Sequence, residues 1–245
     1  MLVVTFSIFL LSAIGLSLGL AAAYDAMASA NVRGARAVFY GAEAGLERAM
    51  LDLPRLPDWN QVLSGTATSG FRDGPPGGLR EVPGGVSVSL DEWVNLANCS
   101  LPSACTAAAM EAVTEERRWG SNNPRWRLFA WGPLSALVPG LHAQSDAYLV
   151  VLAADDPTET DADATRDGVS AQTGGGVLLL RASAFGRGRA VRTIEATIAR
   201  SAAERSAVGY EAQRGPASDA DALSAPGGAL ARSEMAVGEG GMVRR

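Results

Sequence analysis

Lysine is absent from this chain of 245 residues, histidine occurs once and cysteine twice. All 21 basic residues are Arg, which points to a GC-rich coding sequence more than to function. With one histidine, a Ser-His-Asp or Cys-His site would have to use His142, and no GxSxG turn presents a nucleophile. No GxxxxGK[ST] phosphate loop occurs either. The run Gly174-Gly175-Gly176 lacks the spacing of a dinucleotide fingerprint and leads into a strand pattern. These absences predict a protein that is not an enzyme. Net charge is −5, which argues against a nucleic-acid partner. The deficit is local: Asp155, Asp156, Glu159, Asp161, Asp163 and Asp167 stand against Arg166, and the rest of the chain balances acid and Arg.

Charge is also missing from residues 1–24, and proline from residues 1–53. As a helix, 24 uncharged residues span roughly 35 Å, enough for a bilayer core of about 30 Å. Three readings compete: a cleaved secretory signal with Ala21-Ala22-Ala23 at the cleavage site, a simple single-span anchor, and a membrane helix that continues into a soluble amphipathic one. The signal reading lacks a basic n-region. The continuous helix is favoured, because Val32, Phe39, Leu46 and Leu53 recur every seven residues with Ala35, Ala42 and Ala49 at i+3, and Pro54 stops the pattern.

Apolar residues make up 47% of the chain, enough for one core, and 28 Gly with 12 Pro imply many turns. Residues 54–85 read as a loop, and residues 86–90, 126–131 and 147–153 as strands. Residues 177–185 and 191–200 alternate around Gly186-Arg187-Gly188-Arg189-Ala190 and read as a hairpin with one face covered. The Val32–Phe39–Leu46–Leu53 stripe is the natural cover for its Ile194, Ala196 and Ile198 face. The predicted fold is therefore α+β, a long N-terminal helix packed on an antiparallel β-sheet. The expected divisions are a helix over 1–53, a β-rich domain over 54–203 and a disordered tail over 204–245.

Two segments are candidate sites. Cys99 and Cys105 flank five residues, too few ligands for zinc and too wide for a CxxC redox motif. A disulfide is the preferred reading; two free thiols or a metal are the alternatives. Asp161, Asp163, Thr165 and Asp167 fall at alternate positions before Gly168, as Ca²⁺ ligands do in a loop. The full EF-hand pattern is absent, so a solvated acidic loop is preferred and Ca²⁺ is the only candidate cofactor. Glu43 beside the stripe reads either as a partner for an Arg across a subunit contact or as a half-exposed helical Glu. Trp119, Trp126 and Trp131 among Arg117, Arg118, Arg125 and Arg127 suggest a nucleic-acid surface, but alternation explains Trp126 and Trp131 as strand residues. His142, beside Pro139-Gly140, needs no role.

Residues 2–23 followed by residues 30–49 resemble the N-terminal region of PilX-type pilus assembly proteins. The most specific part is Tyr40-Gly41-Ala42-Glu43-Ala44-Gly45-Leu46-Glu47-Arg48-Ala49. The resemblance covers about a fifth of the chain. It implies a structural minor pilin: a subunit inserted in the inner membrane with its soluble domain in the periplasm. Such a subunit is then extracted into a type IV pilus through helix contacts with other pilin subunits, involving Val32, Phe39, Glu43, Leu46 and Leu53. The stretch Met1-Leu2-Val3-Val4-Thr5-Phe6 lacks the acid of major pilins, as PilX-type proteins often do. A basic leader ending in Gly is also missing, so the expectation is a truncated chain or a misassigned start. Arg33 and Arg36 alone would favour a cytoplasmic C-terminal side; the resemblance and the cysteines outweigh them. The alternatives are a K-type minor pseudopilin of a type II secretion system, which usually carries a larger helical insertion, and a membrane-anchored adhesin or ligand-binding module.

Overall fold

A computed structural model describes residues 1–82, 85–137, 147–159, 161–168, 175–200 and 206–209. One unbroken helix, α1, runs over Leu2–Asp52. No proline interrupts it, and Pro54 falls in the 3₁₀ turn Leu53–Arg55 that ends it. Residues 1–33 are exposed throughout, and the first buried side chain is Val38. The helix is long and apolar enough to cross a membrane.

The remaining elements are α2 (Asn60–Leu63), β1 (Leu79–Val82), β2 (Val86–Ser89), α3 (Leu90–Cys99), α4 (Ala107–Glu111), β3 (Arg127–Pro133), β4 (Tyr148–Asp155), β5 (Val177–Phe185), β6 (Val191–Arg200) and β7 (Ser206–Gly209). Strands β3 to β7 form an antiparallel meander in sequence order, and β1 pairs with β2 separately. The β5–β6 hairpin pairs Phe185 with Val191 and Val177 with Ala199, as the alternation predicts. The free edge of β3 is covered: Ser69 N–H donates to Phe129 O, and Trp131 N–H to Phe71 O. Pairing that edge within the chain removes a template for aggregation.

Three expectations are corrected. The sheet is covered on both faces, not one. Residues Phe129, Leu149, Val151, Leu178, Leu180, Ala182, Ala196 and Ile198 face α1. On the other side Trp126, Trp131, Tyr148, Val150, Leu152 and Phe185 pack with Val82, Val88 and Leu90. Every residue of β4 is therefore buried. The second layer comes from Val82, expected in a loop, from Val88 in the expected strand, and from the unexpected helix α3, which begins at Leu90 where the strand was expected to end. Ser89 caps α3 by accepting Glu92 N–H at 3.2 Å, so Ser89-Leu90-Asp91-Glu92 has the capping-box sequence. Residues 206–209, read as tail, form β7 on β6; residues 210–245 lie outside the described residues.

Candidate functional site

The lower half of α1 is seated on the sheet by Val38, Ala42, Leu46, Ala49 and Leu53. Gly41 and Gly45 lie in the same seam, and a Cβ on Gly41 would come within 3.2 Å of Ala184 Cβ. This close approach explains small residues where a surface helix would normally show larger ones. The seam is rotated from the stripe drawn at a seven-residue period. Leu46 and Leu53 belong to it, but Phe39 is 41% and Val32 52% exposed. A straight helix turns about 100° per residue, so a strict heptad drifts by about 20° each repeat. Counted that way, Phe39 lies roughly 80° and Val32 roughly 100° from the seam centre. Glu43 is half-buried, and the same count puts it roughly 120° from the seam centre.

The seated end is locked by polar contacts. Asp52, buried at the helix C-terminus where the dipole disfavours an acid, accepts from Arg48 Nε at 2.9 Å and from the Ser69 hydroxyl. Trp59 Nε1 donates to Leu53 O at 3.1 Å, and the Arg200 guanidinium lies 4.5 Å over the Trp59 ring. The result is a helix with two environments. Residues 38–53 belong to the domain core, and residues 1–33 contribute nothing to it.

Cys99 and Cys105 form a disulfide, with Cα atoms 5.9 Å apart. It closes the turn after α3, where Ser100 takes the left-handed conformation (φ 56°).

In the acidic loop, the alternate-position set does not converge. Asp163 Oδ1 accepts both the backbone N–H and the hydroxyl of Thr165, which holds its carboxyl below the ordinary range. Asp167 Oδ1 accepts Gly176 N–H at 2.6 Å, and burial raises its pKa. Of the four, Asp161 alone joins a convergent group, and its partners are Asp155 and Glu159. These two are 2% exposed. Burial, then the charges of Glu159 and Asp167, push Asp155 up to about 9. Burial, then Asp161 and Asp167, push Glu159 up to about 7. Both belong to the acidic run whose sequence suggests a solvated loop. The missed signal is their position: Asp155 is the last residue of the wholly buried strand β4.

The Trp and Arg residues do not form one surface. Trp126 and Trp131 are core, Trp131 donating to Asp73 O at 2.9 Å. Arg181 lies over Trp126, and Arg125 pairs with Glu111 at 2.8 Å. Trp119 is exposed. His142 lies outside the described residues. No protein-family model, curated protein or solved structure matches this chain.

Proposed function

We propose that the chain is a structural, non-catalytic subunit of the minor-pilin type. In this reading residues 2–23 hold it in the bacterial inner membrane, the domain from residue 54 onward lies in the periplasm, and the subunit later enters a surface filament. The observation that carries the reading is the single helix Leu2–Asp52 with its two environments. A cleaved signal or a simple anchor gives no reason for the helix to continue without a break into the core. A subunit that must leave the bilayer and pack its apolar half against neighbouring helices does. All-round apolar surface in water requires lipid or a protein bundle, and a filament core supplies the second when the first is left behind. The resemblance of residues 30–49 to PilX-type proteins supports the same reading, and the disulfide fits an oxidising compartment.

The test is cellular. A reporter fused after Arg200 should be active only outside the cytoplasm, and the chain should fractionate with the inner membrane. Deleting the gene should reduce surface filaments or filament-dependent adhesion. Leu11→Asp places a charge in the span at about 2.5–3.5 kcal/mol on insertion scales, and this variant should not restore filaments. Unchanged filaments, twitching and adhesion in the deletion strain would overturn the proposal. A soluble product beginning near Tyr24 would establish the cleaved signal instead.

A further inference from the structure

We propose that Asp155, Glu159 and Asp161 bind one Ca²⁺ ion where β4 runs out into the acidic loop. The site stands on its own geometry and does not depend on the pilin reading.

A carboxylate oxygen from each of the three residues lies within 4.8 Å of the other two. Oxygens bound to one Ca²⁺ at about 2.3–2.6 Å are separated by up to roughly twice that distance. Asp155 and Glu159 are each 2% exposed. Asp155 Oδ1 and both Glu159 carboxylate oxygens are buried with no hydrogen-bond partner among the described residues. The Gly168 backbone and the Asp155 side chain act to lower the Glu159 pKa, against the larger effect of burial. Among the described residues no Arg forms an ion pair with any of the three.

An unpaired buried carboxylate is strongly unfavourable, and three converging ones repel as well. Two solutions exist: a proton shared between Asp155 and Glu159, or a cation between all three. The surroundings favour the cation. The Glu159 backbone is pinned by Asn122, whose Nδ2 donates to Glu159 O at 2.6 Å. Asp161 completes the group from the solvent side, and its Oδ1 is oriented by Asp163 N–H at 2.9 Å. An open polar cleft lined by Asp58, Asp161, Asp163 and Asp167, together with Arg166 and Arg200, borders the group at Asp161. The donors are all carboxylate oxygens, with neither sulfur nor nitrogen among them, and Glu159 has both oxygens unpartnered among the described residues. That set suits a hard cation of variable coordination, Ca²⁺ before Zn²⁺ or Mg²⁺.

The experiment is calorimetric titration of the full chain in detergent micelles with CaCl₂ after chelator treatment. One Ca²⁺ per chain should bind, with Kd of about 10⁻⁴–10⁻³ M as in extracellular modules. Saturating Ca²⁺ should raise Tm by a few degrees. Glu159→Gln should weaken binding about tenfold or more, while Asp163→Asn, whose carboxylate is engaged by Thr165, should change it by less than about threefold. Should Glu159→Gln fail to fold, Asp161→Asn on the solvent side provides the same comparison. Absence of both heat and Tm change at millimolar Ca²⁺ in the unmodified chain overturns the site and leaves the shared proton. Equal losses in Asp163→Asn and Glu159→Gln overturn the ligand assignment.

Discussion

Replacing Leu46 by Ala tests how the helix is seated. Leu46 is 4% exposed, sits among the small residues Ala42, Gly45 and Ala49, and belongs to the core between α1 and the sheet. Burying a Leu contributes about 1.5–3 kcal/mol. Truncation also leaves a cavity, and neighbours without long side chains cannot collapse into it. The strand beneath is hydrogen-bonded on both sides and cannot rise. The cost should therefore fall in the upper part of the usual range, about 3–5 kcal/mol. For a domain of this size that lowers Tm by roughly 6–20 °C. Phe39 provides the contrast: it is 41% exposed and rests edge-on against Tyr40, itself 63% exposed. Phe39→Ala should cost less than about 1 kcal/mol, although a seven-residue period places it on the same stripe as Leu46. The assay is thermal unfolding of the full chain in micelles, followed by fluorescence, with Trp59 buried at the seated end of the helix reporting the transition. Equal destabilisation by the two changes would refute the rotated seam and restore the heptad.

Further outcomes follow from the same geometry. A Cβ at Gly186 would meet Val38 Cγ1 at 2.5 Å; Gly186→Ala should cost about 1–3 kcal/mol, partly recovered in the double variant with Val38→Ala. Additive losses in chemical denaturation would disprove that contact. Cys99 and Cys105 should resist thiol labelling until reductant is added, and free labelling of fresh protein would exclude the disulfide from the native chain. In chelator, burial and the neighbouring acids raise the folded pKa of both Asp155 and Glu159 above their ordinary 3.8 and 4.5. A raised acid stabilises the fold below its unfolded pKa, and that contribution is lost as pH rises through the folded value. Calorimetric Tm of the metal-free chain should therefore fall between pH 5 and pH 8, flattening when Ca²⁺ is present. A metal-free Tm that climbs over this window would show that the pair is not buried as described.

The long helix, the hairpin and the α+β class were legible in the sequence because each is written locally. An uncharged run without proline has no way to be anything but helix or membrane span, and period-two alternation around a Gly-rich turn specifies β5 and β6 residue by residue. The cysteine pair was legible for the same reason, since a short loop needs no knowledge of the rest of the fold. The second cover layer was only half legible. Its capping box at Ser89 is in the sequence, but nothing local says that Leu90 and Trp93 land on the back of β4. The helix seam was misplaced because a heptad and a straight helix diverge by about 20° per turn pair. Which side faces the sheet is decided by where Gly41 and Gly45 permit close approach. The acidic cluster depended most on tertiary structure. Asp155 and Glu159 look like their solvated neighbours in sequence, and only the burial of β4 on both faces, with Asn122 holding the Glu159 backbone, removes them from water. Burial is a property of what packs from elsewhere in the chain, so no reading of residues 155–168 alone could separate these two carboxylates from the Asp residues that follow.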